Sequence, residues 1–166
     1  MWVVQGGERR DPKYTDGSRY NGRTAAATMT EFQYLGEYAT VMDAEMLAIS
    51  MGWRLGRTVA TDSQAAIARI MELQHSGPKS WIEEEVIKET GAGRKELLWV
   101  PGHAGILGNE MADYKAKQGV HMGMAMGEKN RATPGGIKQH FRMTEEEAGE
   151  RMGPRRNEWV HLHLYR

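Results

Sequence analysis

Apolar residues along positions 12–118 follow two alternating spacings, one typical of strands and the other of helices. Short runs rich in β-branched, aromatic and other apolar residues predict strands at 13–16, 24–30, 33–40, 58–61 and 96–100. Apolar residues three and four positions apart predict helices at 41–55, 65–73, 81–90 and about 109–118. The predicted order of elements is therefore β-β-β-α-β-α-α-β-α.

This order predicts an α/β fold with one five-stranded mixed sheet flanked by helices. The first three strands have short connections, so we expect antiparallel pairing, whereas strands joined through helices should pair in parallel. Residues 12–118 are predicted to form this domain. Residues 119–166, rich in Gly, Met and charge, are predicted to be an extension of unknown role that is partly disordered. Within this extension, 144–149 is predicted to be a short helix and 159–164 a strand.

Composition narrows the class of protein. The 166-residue chain is 40% hydrophobic and 27% charged, as expected for one soluble globular domain. The chain lacks both a long apolar run and the pattern of a signal peptide, so we expect an intracellular protein of the nucleus or cytoplasm. The absence of cysteine excludes disulfides, thiolate metal sites and cysteine nucleophiles. A formal net charge of zero is compatible with nucleic-acid binding but does not argue for it.

Four acidic residues stand where the predicted fold can bring them together. Asp16 and Asp62 each follow a predicted strand, and ligand sites gather at the carboxyl ends of strands. Glu45 lies on the otherwise apolar face of its helix, where an unpaired carboxylate is costly. Asp113 shares a helix face with small residues. With no evident Lys or Arg beside them, four such acids repel one another unless a cation is bound.

Each of these residues also has an ordinary structural explanation. Asp16 in Asp-Gly-Ser is typical of a turn, and Asp62 before a helix is typical of an N-cap. Asp113 near a helix N-terminus interacts favourably with the helix dipole. His103, in a glycine-rich loop, would ordinarily be a solvated surface residue. Only Glu45 has no such explanation, so the residues taken singly do not decide the function.

A cluster made only of carboxylates favours hard cations. Mg²⁺ or Mn²⁺ would be selected over zinc. Two such cations about 3.5–4 Å apart can activate a water and stabilise the leaving oxygen of a phosphodiester. The acids therefore favour metal-dependent phosphodiester hydrolysis.

Four segments are similar in sequence and in order to the motifs of a known family. They are 14–18 (YTDGS), 43–45 (DAE), 61–66 (TDSQAA) and 99–113 (WVPGHAGILGNEMAD). Together they resemble the successive motifs of the type I ribonuclease H family. Their sequences most resemble those of the domains that follow reverse transcriptase in non-LTR (LINE-type) retrotransposons.

The resemblance implies an endonuclease that hydrolyses the RNA strand of RNA–DNA hybrids with two Mg²⁺ ions, which Mn²⁺ can replace. It implies that His103 is a loop histidine that aids proton transfer or product release. It also implies a reverse transcriptase domain as a partner in a parent polyprotein. The implied catalytic metal ligands are Asp16, Glu45, Asp62 and Asp113.

Further positions correspond to those that lie near the RNA strand in this family. Strand choice would depend on contacts to the 2′-hydroxyl, the group that separates RNA from DNA. The products would carry a 5′-phosphate and a 3′-hydroxyl. The implied substrate-binding residues are Gly17, Ser18, Gln64 and Asn109.

The chain departs from the family pattern in two places. Pro12 lies just before the first predicted strand, so that strand is expected to be short or irregular. The stretch between Leu73 and Lys95 has room for one helix only, so the basic substrate-binding handle of some members is missing. Weak substrate binding by this domain alone is therefore expected.

Two alternatives remain beside an active ribonuclease H. The first is a catalytically silent remnant of the same fold that only binds nucleic acid. The second is another nuclease of the superfamily, such as an integrase or a junction resolvase, although the segment 99–113 speaks against it. Cleavage of a labelled hybrid discriminates among all three.

Overall fold

The computed structural model describes residues 2–3 and 11–152, with side chains described for 11–147. The strands are β1 (Trp2–Val3), β2 (Lys13–Tyr20), β3 (Arg23–Thr28), β4 (Phe32–Gly36), β5 (Thr58–Thr61) and β6 (Glu96–Trp99). The helices are α1 (Val41–Leu55), α2 (Gln64–Ser76), α3 (Trp81–Gly91), α4 (Leu107–Met126) and α5 (Pro134–Met152). Among these helices, none is both long and apolar enough to cross a membrane.

The strands form one mixed sheet in the order β1-β6-β5-β2-β3-β4. β2, β3 and β4 pair antiparallel, whereas β5 pairs in parallel with both β2 and β6. The predicted five-stranded mixed sheet flanked by helices is therefore confirmed. β1, which the sequence pattern did not predict, adds two residues in parallel at the β6 edge.

The first predicted strand does not end at Asp16, and the expectation that it would be short is wrong. β2 has eight residues, and its hairpin turn lies beyond them at Asn21 and Gly22. Both turn residues have positive φ, 47° and 75°, as a two-residue type I′ turn requires. Asp16 therefore lies inside a strand, with Ala27 of β3 opposite it.

Gly17 is required by packing rather than by a turn. A Cβ at Gly17 would lie 2.5 Å from the backbone nitrogen of Glu45 and 2.8 Å from the carbonyl carbon of Ala44. These distances are well below van der Waals contact, so α1 passes directly over the glycine. The Asp-Gly-Ser motif thus brings the backbone carrying Asp16 against the helix that carries Glu45.

Replacing Gly17 with alanine is expected to destabilise the fold by about 1–3 kcal/mol or more, the usual cost of overpacking. The backbone of α1 is the obstacle, and it cannot rotate away as a long side chain can. Gly91→Ala is the matched control, because nothing lies within 4 Å of its added Cβ. Urea unfolding of both variants measures the difference, and equal midpoints would contradict the close approach.

The core lies between the sheet and its helices, with α1 at its centre. α1 is buried almost continuously from Ala44 to Trp53, and the Trp53 indole donates a 3.0 Å hydrogen bond to the carbonyl of Glu96. Thr15 of β2 packs on Gly52 of α1, whereas the neighbouring Tyr14 packs on α4. Because alternate residues of a strand face opposite sides, α1 and α4 cover opposite faces of the sheet.

The predicted end of the last domain helix near position 118 is wrong, because α4 continues without interruption to Met126. A Cβ at Gly119 would lie 2.8 Å from the Phe32 ring, and one at Gly123 would lie 2.3 Å from the Tyr34 ring. These glycines let the helix lie on the aromatic side chains of β4. The helix ends at Gly127, whose φ of 64° forms a left-handed cap.

Part of the predicted extension is therefore helical. The boundary between 118 and 119 falls inside α4, and α5 occupies Pro134–Met152. The short helix predicted at 144–149 lies within α5. The strand predicted at 159–164 lies outside the described residues.

Candidate active site

Three of the predicted acids meet beyond the end of β5. Asp16 lies in β2, Glu45 in the second turn of α1, and Asp62 directly after β5. One carboxylate oxygen of each lies within 4.8 Å of the other two. Strand register explains part of this meeting, because Tyr14 pairs with Ala60 and both aspartates lie two positions further on.

Asp113 belongs to a neighbouring group rather than to this one. Its ligand atom lies within 4.8 Å of ligand atoms of His103 and Glu110. It still acts on the first group through its charge, which raises the pKa of both Asp16 and Glu45. The four predicted acids therefore form one electrostatic site, in which three carboxylates share the closest approach.

A lysine also stands beside the acids, contrary to the expectation of none. The Lys117 ammonium donates a 2.7 Å hydrogen bond to Asp113 Oδ2, one turn earlier on α4. The pKa of Lys117 is raised, first by this hydrogen bond and then, after an opposing effect of burial, by the charges of Asp113 and Asp16. Its spacing from Asp113 is the ordinary i,i+4 spacing of a helical ion pair, which is the signal that could have predicted it.

Glu45 has a more strongly raised pKa than Asp16. Its side chain is buried, and its Oε2 atom has no hydrogen-bond partner among the described residues. Burial, followed by the charges of Asp16 and Asp62, raises its pKa to about 9, although a hydrogen bond from the Gly17 amide lowers it in part. The carboxyl group is therefore protonated at neutral pH unless a cation binds beside it.

Asp16 shows the same effect to a smaller degree. Burial, then the charges of Asp62 and Asp113, raises its pKa to about 7. The Gly17 amide and the Lys117 ammonium oppose this shift without cancelling it. Ionising both Asp16 and Glu45 in the folded protein is therefore unfavourable unless a cation binds beside them.

Asp62 is held from two sides. The Asn109 amide donates a 3.0 Å hydrogen bond to Asp62 Oδ2, and the Trp99 indole donates to the Asp62 carbonyl at 3.2 Å. Gly102 lies against the same carboxylate, since a Cβ there would be 2.7 Å from Oδ2. These contacts orient the Asp62 carboxylate toward the site.

Asn109 does not cap α4 as its position in the sequence predicted. The N-cap is Ile106, which makes no side-chain capping bond, and Asn109 is buried within the first turn. Gly108 already belongs to the helix, where it packs on the Tyr14 ring. The asparagine side chain is thereby free to reach Asp62 instead of a backbone amide.

His103 lies in the exposed loop before α4. Its φ of 52° places it in the left-handed region, which is uncommon for a residue with a side chain. The loop carries its ring to Glu110 and Asp113. Sequence reasoning did not single out Glu110, although its position three residues before Asp113 places both on one helix face.

The remaining predicted residues surround the acids at different depths. Gly17 offers its backbone amide to the carboxyl groups, as described above. Ser18 is buried in β2, two positions beyond Asp16 on the same face. Gln64 is the exposed first residue of α2, whose N-cap is Ser63.

The chemistry of this donor set fits a hard divalent cation. The groups are carboxylates, one of them has a buried oxygen without a partner among the described residues, and two have pKa values raised first by burial and then by the charges of neighbouring acids. Mg²⁺ and Mn²⁺ prefer oxygen ligands of this kind. The residues that would hold such ions are Asp16, Glu45, Asp62 and Asp113.

Comparisons with known proteins identify the family to which the chain belongs. The family model described as RNase H matches residues 12–121. The Pol polyprotein of equine infectious anemia virus (isolate 1369) is 38% identical over 119 residues, covering 63% of this chain and 10% of that polyprotein. The same polyprotein of the Wyoming strain is 37% identical over 119 residues, with the same coverage. The chain spans about a tenth of the length of these curated relatives. The family match covers well over half of the residues, so the chain belongs to the RNase H family.

Proposed function

We propose that this protein is an endonuclease that hydrolyses the RNA strand of RNA–DNA hybrids with two divalent cations, Mg²⁺ or Mn²⁺. The observation that carries the proposal is the cluster of Asp16, Glu45 and Asp62, three carboxyl groups within 4.8 Å of one another, two of which have pKa values raised by burial and by neighbouring acids. Such a cluster is costly to fold unless it binds cations. Membership of the RNase H family supports the choice of substrate.

The residues of the chain have separate tasks in this proposal. A bound pair of cations supplies an activated water and stabilises the leaving oxygen of the scissile phosphodiester. Asp16 and Glu45 hold the buried side of the site, while Asn109 keeps Asp62 in place. His103 is exposed beside Asp113, where an imidazole can exchange a proton with solvent or assist product release.

Substrate contacts extend the proposal outward from the acids. Strand choice depends on the 2′-hydroxyl, which only the RNA strand carries. Gln64 is exposed and follows Asp62 by two residues, and we propose that it contacts the hybrid. The proposed substrate-binding residues are Gly17, Ser18, Gln64 and Asn109.

The proposal also includes an origin. The relatives are named Pol polyproteins, and this chain corresponds to about a tenth of their length. We infer descent from the polyprotein of a reverse-transcribing element, with a reverse transcriptase domain as its partner. The residues of the four motifs favour a LINE-type retrotransposon as this element. We propose that the catalytic domain begins at residue 12 and includes the whole of α4, and that it acts in the nucleus or the cytoplasm where such hybrids form.

One observation favours the silent alternative. The ion pair with Lys117 occupies Asp113, and a side chain that keeps this lysine bound is less available to a cation. A protein in which this pair persists would bind nucleic acid without cutting it.

A cleavage assay tests the proposal. The full chain is incubated with a hybrid labelled on either strand, in Mg²⁺, in Mn²⁺ and with a chelator. We expect the RNA strand to be cut in both metals, the DNA strand to stay intact, and the chelator to stop the reaction. Asp62→Asn should be inactive, whereas Asp11→Asn, at an exposed position, should match the unchanged chain.

The other outcomes separate the alternatives. An intact hybrid at saturating protein and Mg²⁺ would establish the silent remnant. Cleavage of a DNA duplex of the same sequence would assign the chain to another nuclease of the superfamily.

A further inference from the structure

The chain that follows α4 returns over the start of α1 instead of leaving the domain. We call residues 130–136 the C-terminal strap. The backbone amide of Arg131 donates to the Leu35 carbonyl at 2.8 Å, and that of Thr133 donates to the Tyr38 carbonyl at 2.8 Å. These bonds fix the strap along the connection between β4 and α1.

Side chains add to this attachment near the beginning of the strap. The Arg131 guanidinium carbon lies 3.9 Å from the centroid of the Trp81 ring. The Trp81 indole in turn donates a 3.0 Å hydrogen bond to the carbonyl of Ala132. The strap therefore bridges α3 and the start of α1.

Close packing shows that the strap is built into the domain. A Cβ at Gly136 would lie 2.0 Å from the Tyr38 carbonyl oxygen and 2.5 Å from the Cα of Ala39. The Asn130 side chain fills the place of a Cβ at Gly36, whose φ of +81° already favours glycine. The neighbours of Gly136 are backbone atoms, so a larger residue there would not be tolerated.

Thr133 is the residue through which the strap holds α1. It is 1% exposed, and its hydroxyl donates a 2.8 Å hydrogen bond to Asp43 Oδ2. The same Asp43 oxygen accepts bonds from the backbone amide of Thr40 at 2.7 Å and from the Thr40 hydroxyl at 2.6 Å. It is the capping-box carboxylate of α1.

The Thr133 hydroxyl also serves the next helix. It accepts a 3.0 Å hydrogen bond from the Gly136 amide at the start of α5. One threonine thus joins the N-termini of α1 and α5 through the Asp43 carboxylate. Both helix ends carry partial positive charge that this carboxylate stabilises.

The start of α1 determines the position of Glu45. Asp43 lies two residues before Glu45 in the same helix. Glu45 has one buried oxygen without a partner among the described residues, so its side chain depends strongly on where the helix backbone lies. A shift of the first turn of α1 would move this carboxylate away from Asp16 and Asp62.

We infer that Thr133 is a positioning residue of the nuclease site. It fixes the first turn of α1 through Asp43 and so holds Glu45 where a shared cation can be bound. The inference rests on the proposed function. It assigns a role to a residue that lies beyond the 12–121 family match.

The test compares three variants of the full chain, with Thr133→Ala as a second variant that lacks the hydroxyl. Thr133→Val removes the hydroxyl with little change of shape, and Thr133→Ser keeps it. Thr144→Val makes the same change on α5 at an exposed threonine whose hydroxyl donates to backbone carbonyls of its own helix. Two readouts need no substrate: Mn²⁺ binding by calorimetry, and amide hydrogen exchange of residues 44–46 in chelator. Hybrid cleavage is the third readout.

We expect Thr133→Val to weaken Mn²⁺ binding about tenfold, the lower range for residues that orient metal ligands. Exchange at 44–46 should become faster, and the Mn²⁺ concentration for half-maximal cleavage should rise with the binding constant. Thr133→Ser should restore all three, and Thr144→Val should leave them unchanged. Wild-type Mn²⁺ affinity together with wild-type exchange in Thr133→Val would overturn the inference.

The readouts also distinguish a failure of this inference from a failure of the proposed function. If the unchanged chain binds Mn²⁺ but cuts no hybrid, the proposed function fails while binding and exchange still decide the role of Thr133. If it binds no Mn²⁺, exchange decides alone, and unaltered exchange in Thr133→Val refutes the role. If both Thr133→Val and Thr133→Ala fail to fold, Thr133 serves stability rather than positioning, and the inference is overturned.

Discussion

Glu45→Gln is expected to abolish hybrid cleavage and, at the same time, to raise the melting temperature of the metal-free protein at pH 8. Cleavage should fall about 10³-fold or more, the scale on which essential members of a catalytic unit act. Stability should rise because the buried carboxyl, with its pKa of about 9, must take up a proton to fold at that pH. A glutamine is neutral in both states and does not need that proton.

The gain in stability is large because each pKa unit corresponds to about 1.4 kcal/mol. Several units separate the ordinary pKa of a glutamate from that of Glu45, so we expect a gain of a few kcal/mol in chelator. Thermal unfolding in chelator and the hybrid assay measure the two effects on one sample. Glu147→Gln, at an exposed position on α5, should change neither. A Glu45→Gln variant that loses stability in chelator would contradict the raised pKa of Glu45.

The unchanged protein in chelator is expected to lose stability as the pH rises from about 4 to about 9. Asp16 and Glu45 have pKa values of about 7 and about 9 when folded, above their ordinary values of 3.8 and 4.5. Between those limits the folded state binds more protons than the unfolded state, so the free energy of unfolding falls with rising pH. This contribution is complete below pH 4 and lost as the pH passes 7 and then 9.

Mg²⁺ is expected to reverse this dependence. The cation binds the deprotonated carboxylates of the folded state, so its affinity and its stabilising effect both increase with pH. Melting temperatures measured from pH 5 to pH 9, with Mg²⁺ and with chelator, should therefore diverge as the pH rises. The Glu45→Gln variant should show a smaller slope in chelator, which separates the site from the other titrating groups. Parallel curves with and without Mg²⁺ would count against a cation at these acids.

Much of the fold could be predicted because local periodicity decides it. Helical spacing predicted α1 with both of its bounds, and the short β-branched run at 58–61 predicted β5. The position of Asp62 followed directly, since it comes straight after β5. Glu45 could be singled out because a carboxylate on an apolar stripe has no ordinary explanation, and it is indeed buried.

The predictions are wrong at glycines, because a glycine occurs both at turns or helix ends and where another element packs closely on the backbone. Gly17 next to Asp16 was interpreted as part of a turn, but the structure shows that α1 packs against its bare backbone. The last helix is predicted to end where the Gly-rich and Met-rich stretch begins, near 118, yet Gly119 and Gly123 belong to α4 and lie under aromatic rings of β4. A single sequence does not show which neighbour a glycine will meet, because that neighbour is distant in the chain.

Contacts between distant side chains were also beyond sequence reasoning. Asn109 lies 47 residues from Asp62, and Thr133 lies 90 residues from Asp43. Neither pair has a local pattern that would predict it. The motifs identified the acids, whereas the residues that hold them in place became visible only in three dimensions.

The central claim is that acids from β2, α1, α4 and the end of β5 share hard cations. Anomalous diffraction from a crystal of the full chain grown with Mn²⁺ tests it most directly. We predict two Mn²⁺ peaks about 3.5–4 Å apart, with Asp16, Glu45, Asp62 and Asp113 as ligands. Mn²⁺ bound only at other acids, with these four carboxylates free of metal, would contradict the claim.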